Sequence, residues 1–203
     1  AHTAPVTGIA WHPAGEHFAT TAADGTARLW RFPLTPPRTL TGPTDAVNAV
    51  KVSPDGKLVA VASADETVRL YGLAAGTAVR QLVAQAGAMT ALDFSPDGAT
   101  VAAANADGAI VFRKTADGAD QLSVAGHAGP VNALDFRADG KQIASAGQDG
   151  TIRVWSHPQP SLPLAGHTMP VQAAASTADG KLIATASADN SIRFWKPEGG
   201  AAT

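Results

Sequence analysis

Residues 131–155 read VNALDFRADGKQIASAGQDGTIRVW. The first six, Val131-Asn132-Ala133-Leu134-Asp135-Phe136, alternate apolar and polar, the period-two pattern of a strand. An Asp139-Gly140 turn follows, then the apolar run Gln142-Ile143-Ala144-Ser145-Ala146. A second turn, Asp149-Gly150, leads into Thr151-Ile152-Arg153-Val154-Trp155. Asp-Gly between two such runs predicts a hairpin, because Gly accepts the positive φ that a tight turn demands. Three strands joined by two tight turns are therefore expected here. A fourth, weaker strand is expected where the preceding copy carries Gln121-Leu122-Ser123-Val124.

That stretch is one of five copies. The Asp before the third strand recurs as Asp24, Asp65, Asp107, Asp149 and Asp189, at steps of 41, 42, 42 and 40 residues. The first apolar residue of the first strand recurs in step, as Val6, Val47, Met89, Val131 and Val171. So does the first turn, from His12-Pro13-Ala14-Gly15 through Ser53-Pro54-Asp55-Gly56 to Thr177-Ala178-Asp179-Gly180. Three landmarks in register divide the chain at about 1–41, 42–83, 84–125, 126–165 and 166–203, with no separate domain between copies. A four-stranded unit of about 40 residues cannot bury both faces alone, and stacking of such units predicts an all-β propeller. Ala is a poor strand former, so these Ala-rich strands must rely on close packing of small side chains.

Composition narrows the function classes. A chain of 203 residues is long enough for a sizeable core, and the net charge of −2 offers no basic footprint for nucleic acid. No stretch approaches the roughly 20 apolar residues that span a bilayer. The first ten residues show neither a charged n-region nor an apolar h-region. With no cysteine, disulfides and thiolate metal sites are excluded. None of this fixes a compartment: cytoplasmic is the default, and export stays open if a leader preceded Ala1.

At this point the repeats resemble the WD-repeat family across essentially the whole chain. The fifth copy carries it most clearly, with Gly166-His167 and then Thr185-Ala186-Ser187-Ala188-Asp189-Asn190-Ser191-Ile192-Arg193-Phe194-Trp195. In that family a His, a Ser or Thr, an Asp and a Trp form a hydrogen-bonded tetrad within a blade. The resemblance implies three: His2, Thr20, Asp24 and Trp30; His127, Ser145, Asp149 and Trp155; His167, Thr185, Asp189 and Trp195. His and Asp stand 22 apart in all three, Asp and Trp 6 apart. The second copy has Pro43, Val61 and Tyr71 at the other positions, and the third has Gln85, Ala103 and Arg113, so both are expected to lack the network and to be less rigid. The Asp that names the family after its Trp is also missing, replaced by Arg31, Ser156 and Lys196.

The same residues admit functional readings. His2, His127 and His167 beside an Asp could be bases or metal ligands, but one spacing and one network account for all three as structure. His12, His17 and His157 sit in or beside turns. The Asp-Gly pairs lack the Asp-x-Asp-x-Asp-Gly loop with its closing Glu that binds calcium. Trp11, at the end of a first strand, is read as packing, and the recurrent Arg28, Arg69, Arg153 and Arg193 as one repeated structural place.

In the family, ligands often bind the face made by the turns before the first strand and after the second. The matching partner-binding positions are Thr7, Asn48, Thr90, Asn132 and Gln172, with Gln148 before its Asp. Tyr71 and Arg113, where Trp is replaced, are a further candidate. The expected function is a non-catalytic protein–protein interaction scaffold with no cofactor and no metal. Its expected partners are other proteins or other domains of a parent chain, not nucleic acid and not a membrane interior.

The alternative is a regulatory or spacer module fused to a catalytic or redox domain. A propeller enzyme is the weakest reading. Sialidase-like boxes place Asp and Trp five apart with Gly two after the Asp, whereas here the gap is six and that place holds Thr26, Thr67, Ala109, Thr151 or Ser191. Few residues follow Trp195, so the fifth blade is expected to lack most of its outer strand. The whole is then an open arc of five four-stranded antiparallel blades, excerpted from a ring of seven or eight.

Overall fold

In the computed structural model, which describes residues 2–31, 36–82, 87–156 and 159–196, every regular element is a β-strand. Blade 1 comprises β1 (Val6–Trp11), β2 (His17–Ala22), β3 (Ala27–Arg31) and β4 (Arg38–Leu40). Blade 2 comprises β5 (Val47–Val52), β6 (Leu58–Ser63), β7 (Val68–Gly72) and β8 (Ala78–Leu82). Blade 3 comprises β9 (Met89–Phe94), β10 (Thr100–Asn105), β11 (Ala109–Lys114) and β12 (Asp120–Ala125). Blade 4 comprises β13 (Val131–Phe136), β14 (Gln142–Gly147), β15 (Ile152–Ser156) and β16 (Gln159–Leu164). Blade 5 has β17 (Val171–Ser176), β18 (Ile183–Ser187) and β19 (Ile192–Trp195). The place expected for a remnant of its fourth strand, 197–203, lies outside the described residues. Every sheet is an antiparallel meander in chain order. Among the described residues no helix is long and apolar enough to cross a membrane.

Local chemistry sets the hairpins. The residue after the periodic Asp adopts a left-handed backbone in every blade: Gly25, Glu66, Gly108, Gly150 and Asn190, with φ between 63° and 85°. Gly enters that region without steric cost and Asn tolerates it, so three glycines and one asparagine need no compensation. Glu66 is the exception, held there because the rest of the turn is fully bonded through Asp65.

Packing between blades supplies the core. Four apolar clusters fill the four junctions, one between each blade and the next. The second strand of each inner blade is buried on both faces, since it lies mid-sheet between two neighbouring sheets. Ala60, Ala62, Ala102, Ala104, Ala144 and Ala146 occupy it and are almost fully buried. Their small side chains let the sheets approach closely, which is how strands of poor intrinsic propensity are held. Polar ties run the same way. The Lys51 ammonium lies 2.9 Å from Asp93 of the next blade, and the other Asp93 oxygen accepts from the Phe136 amide of the blade after that. Asp135 likewise accepts from the Ser176 amide at 2.6 Å.

The innermost strands pack in succession, β1 on β5, β5 on β9, β9 on β13 and β13 on β17, and no comparable packing joins β17 to β1 among the described residues. The blades therefore form an arc that does not close, as expected of the fold class. Trp11, read from the sequence as a packing residue, rests on Phe18 at 4.9 Å between ring centres and is more than half exposed. Its equivalents Val52, Phe94 and Phe136 are covered by a preceding blade, whereas none precedes blade 1 among the described residues.

Candidate functional site

Three side-chain chains run through blades 1, 4 and 5. In blade 4, His127 stands just before β13, Ser145 on β14, Asp149 in the turn to β15, and Trp155 on β15. The Trp155 indole N–H donates to Ser145 Oγ at 2.8 Å, and His127 Nε2 lies 2.7 Å from the same hydroxyl. His127 Nδ1 lies 3.1 Å from Asp149. One tautomer satisfies every contact, with Nδ1–H donating to the carboxylate and Nε2 accepting from Ser145. Blade 5 repeats the pattern, with Trp195 to Thr185 at 2.7 Å, His167 to Thr185 at 2.9 Å and His167 to Asp189 at 2.9 Å. Blade 1 does so at 2.8, 2.8 and 3.2 Å through Trp30, Thr20, His2 and Asp24. Gly precedes His127 and His167 because a Cβ on Gly126 or Gly166 would meet the tetrad Trp ring at 2.6 or 2.9 Å.

Each carboxylate also closes its own turn. Asp149 accepts from the Ala128 amide, the Thr151 amide and the Thr151 hydroxyl at 2.7–3.0 Å. Burial alone would raise its carboxyl, but these donors and His127 bring it down to about 2. The Thr26 hydroxyl holds Asp24 far below the ordinary carboxylate range against burial, and the Ser191 hydroxyl does the same for Asp189.

Burial pushes the His127 imidazole below its ordinary value, outweighing the attraction of Asp149. An unfolded chain takes up that proton near pH 6.5, while the folded chain resists it. The contribution of His127 is therefore complete above about pH 6.5 and is lost as pH falls through the lowered value. Asp149 contributes in the same sense further down, from about pH 4 towards 2. The urea midpoint is expected to fall between about pH 7 and 5, and His127→Gln is expected to flatten that slope. An unchanged slope in the variant contradicts this account.

Blades 2 and 3 depart from the tetrad, but blade 2 is not without a network. The Arg69 guanidinium, 2.7 Å from Asp65, takes the role that His has elsewhere, and the Thr44 amide and Thr67 hydroxyl complete the carboxylate. Burial would raise the Asp65 carboxyl, yet Thr67, Thr44 and Arg69 hold it far below its usual range. In blade 3 the Asn105 side-chain oxygen accepts from the Asp107 and Ala109 amides, leaving the Asp107 carboxylate exposed. Gln85 and His157 lie outside the described residues.

The positions read as a partner-binding face are placed differently from one another. Thr7, Asn48, Thr90 and Asn132 each donate a side-chain hydrogen to the backbone oxygen of the next blade's first-strand residue: Val47, Met89, Val131 and Val171, at 2.5–2.8 Å. They tie blades together, and only Gln148 and Gln172 of the six expose their side chains with no hydrogen bond among the described residues. Tyr71 and Arg113 offer no contact surface. The Tyr71 ring is fully buried and its hydroxyl donates to the Thr41 oxygen at 3.0 Å, while Arg113 is buried against Asp120. Tyr71 points into the junction of blades 1 and 2 and Arg113 pairs with Asp120 inside blade 3, so replacing Trp there changes the interior and not the surface.

The sequence reading missed a cleft of about 980 Å³ between blades 3 and 4. Its floor is apolar: Phe112, Leu122, Val124, Phe136, Ile143 and Trp155. Its rim carries both signs of charge, on Asp97, Asp139, Arg137 and Lys141. The preceding junctions are bridged at the equivalent outer-strand position. Arg38 of β4 reaches over to the Ala74 oxygen of blade 2 at 2.9 Å. Arg80 of β8 reaches the Ala116 and Asp117 oxygens of blade 3 at 2.7 and 2.9 Å. The third member of this series, 42 residues further on, is Leu122, which cannot make the bridge. The series Arg38, Arg80, Leu122 was the available signal, but without register between outer strands nothing marked it.

Comparison with known proteins agrees with this geometry. The family model described as WD domain, G-beta repeat matches residues 1–31, 34–72, 76–112, 119–156 and 158–196. Angio-associated migratory cell protein of Homo sapiens is 32% identical over 72 residues, 36% of this chain and 17% of that protein. The proteins of the same name from Pongo abelii and Canis lupus familiaris match to the same extent. The similarity thus covers about a third of this chain and a much smaller part of each relative.

Proposed function

The chain belongs to the WD-repeat family, whose repeats generally mediate contacts between proteins, and from that premise we propose that it is a non-catalytic docking platform. Its partner is a protein segment seated between blades 3 and 4. The observation that carries this reading is the cleft itself, an aromatic and aliphatic floor within a rim of mixed charge. Concave sites with an apolar floor and a few polar groups are where proteins take up ligands, and buried aromatic residues supply most of the affinity. The floor suits an extended segment with one or two large apolar side chains, and the rim suits flanking charges of either sign. The three His-Asp pairs support the non-catalytic reading, because the hydroxyl that each His holds is buried and already accepts the indole N–H of its Trp.

Leu122→Arg tests this, since it installs the side chain that bridges the two preceding junctions. Peptides selected from a random display library on the unmodified chain are expected to be rich in aromatic and large aliphatic residues. They are expected to lose at least about tenfold in affinity for Leu122→Arg, roughly 1.4 kcal/mol. Gln148→Ala, on the opposite turns, is expected to leave binding unchanged. Equal affinity for the Leu122→Arg chain sinks the assignment of the cleft.

A further inference from the structure

The outer strands differ in how their free edge is protected. An unpaired strand edge is a template for another strand, and proteins blunt it with shortness, basic side chains or proline. Of the four outer strands described, β4 has three residues, Arg38–Leu40, and β8 carries Arg80 at its centre. β16 carries Pro160 and Pro163, which have no amide hydrogen to donate. β12 has none of these devices. It runs for six residues, Asp120–Ala125, with no proline, lysine or arginine. It pairs with β11 on one side and with no strand on the other among the described residues.

That open edge borders the cleft. Leu122 and Val124 are half-buried and line it, while Ser123 and Ala125 are exposed. Residues opposite one another on neighbouring strands share a face of the sheet. A strand added along β12 therefore sets two residues, at i and i+2, beside Leu122 and Val124 and over Phe136, Ile143 and Trp155. The charged rim lies at one end of this path. The Thr100 hydroxyl donates to Gln121 Oε1 at 3.0 Å and its amide to Ser95, which brings the start of β12 level with the rim turns. In blades 2 and 5 the lysine two residues after the turn Asp pairs with it, Lys57 with Asp55 at 3.3 Å and Lys181 with Asp179 at 3.7 Å. In blade 4 Arg137 takes Asp139 instead, at 3.6 Å. The exposed Lys141 ammonium is left with no ion pair or hydrogen bond among the described residues. Asp97 across the cleft is engaged in its own turn, accepting from the Ser95 hydroxyl and the Ala99 amide.

We propose that the partner segment binds as a fifth strand of blade 3, antiparallel along β12, and that it carries an acidic residue for Lys141. This mode of binding rests on the cleft being the docking site and adds how the segment is held and what its sequence must be. Main-chain bonds to the free edge hold it, and alternate side chains in the cleft select it. The antiparallel sense continues the meander of the sheet and is the slightly more stable pairing. β12 starts at the charged end, so a segment running against it reaches Lys141 last. The partner is thus an extended segment with two apolar residues at i and i+2 and a carboxylate on their C-terminal side.

The probes are short peptides selected from a random library on the 203-residue chain, with affinities read by titration calorimetry. They are expected to alternate apolar and polar and to carry Asp or Glu after the apolar pair. N-methylation of alternate amides separates the two edges of a bound strand. On the set that faces β12 it is expected to cost at least about tenfold in affinity, and on the other set less than about threefold. Lys141→Glu is expected to weaken these peptides about fivefold, and replacing the peptide's acid by lysine to restore binding to that variant. Lys141 is exposed, so circular dichroism of the variant is expected to match the parent. Methylation tolerated in both sets, or equally harmful in both, overturns strand addition. A Lys141→Glu chain that binds acidic and basic peptides alike overturns the acidic partner. Peptides that fail in these ways yet lose affinity for Leu122→Arg still occupy the cleft, and only the added strand or its acid is refuted. Peptides indifferent to Leu122→Arg refute the cleft and the strand together.

Discussion

Ile152→Ala is expected to cost about 2–5 kcal/mol of folding stability, whereas Ile192→Ala at the equivalent position of the next blade changes it by no more than about 0.5 kcal/mol. Both are first residues of a third strand and both pair with an alanine of the second strand, Ala146 or Ala186. Ile152 is 0% exposed, packed on Val171, Ile183 and Trp195 of blade 5. Removing its side chain withdraws apolar surface from a filled junction and leaves a cavity that rigid neighbouring sheets cannot close. Ile192 is 68% exposed and loses almost nothing by truncation. Urea unfolding of both variants reads the difference directly. A closed ring predicts equal losses, so equal midpoints contradict the open arc.

Asp149→Ala is expected to lower stability by about 1–3 kcal/mol, and Asp107→Ala by less than about 0.5 kcal/mol. Asp149 accepts from four donors: the His127 ring, the Ala128 amide, and the amide and hydroxyl of Thr151. Alanine leaves those donors without their acceptor, and His127, with its side chain wholly buried, cannot turn to water. Asp107 stands at the same place in its repeat, but Asn105 has taken over the turn amides and the carboxylate faces solvent. Thermal unfolding of the two variants separates them. Equal losses of melting temperature refute the view that the tetrad, and not the Asp in the turn, carries the stability.

The sequence by itself determined the period, the strand order within each repeat and the turns. These are local: alternation marks a strand facing a neighbour, and the left-handed turn position carries Gly or Asn in four of the five repeats. The family and its tetrad positions were legible for the same reason, since a carboxylate, an imidazole, a hydroxyl and an indole must keep fixed spacing to meet across three strands.

What only the tertiary structure decided lies between repeats. Thr7, Asn48, Thr90 and Asn132 look like surface residues in one dimension, and the packing of first strand on first strand turns them onto a neighbour's backbone. Tyr71 and Arg113 look like irregularities on a surface, and the packed sheets bury them. Arg69 replaces a missing His because the third strand brings its guanidinium to Asp65, a substitution between unlike residues that no motif records. The cleft beside Leu122 exists because of how one sheet sits on the next. Local pattern specifies each blade. Which of its faces is covered depends on the sheet beside it, and that is a property of the assembled arc.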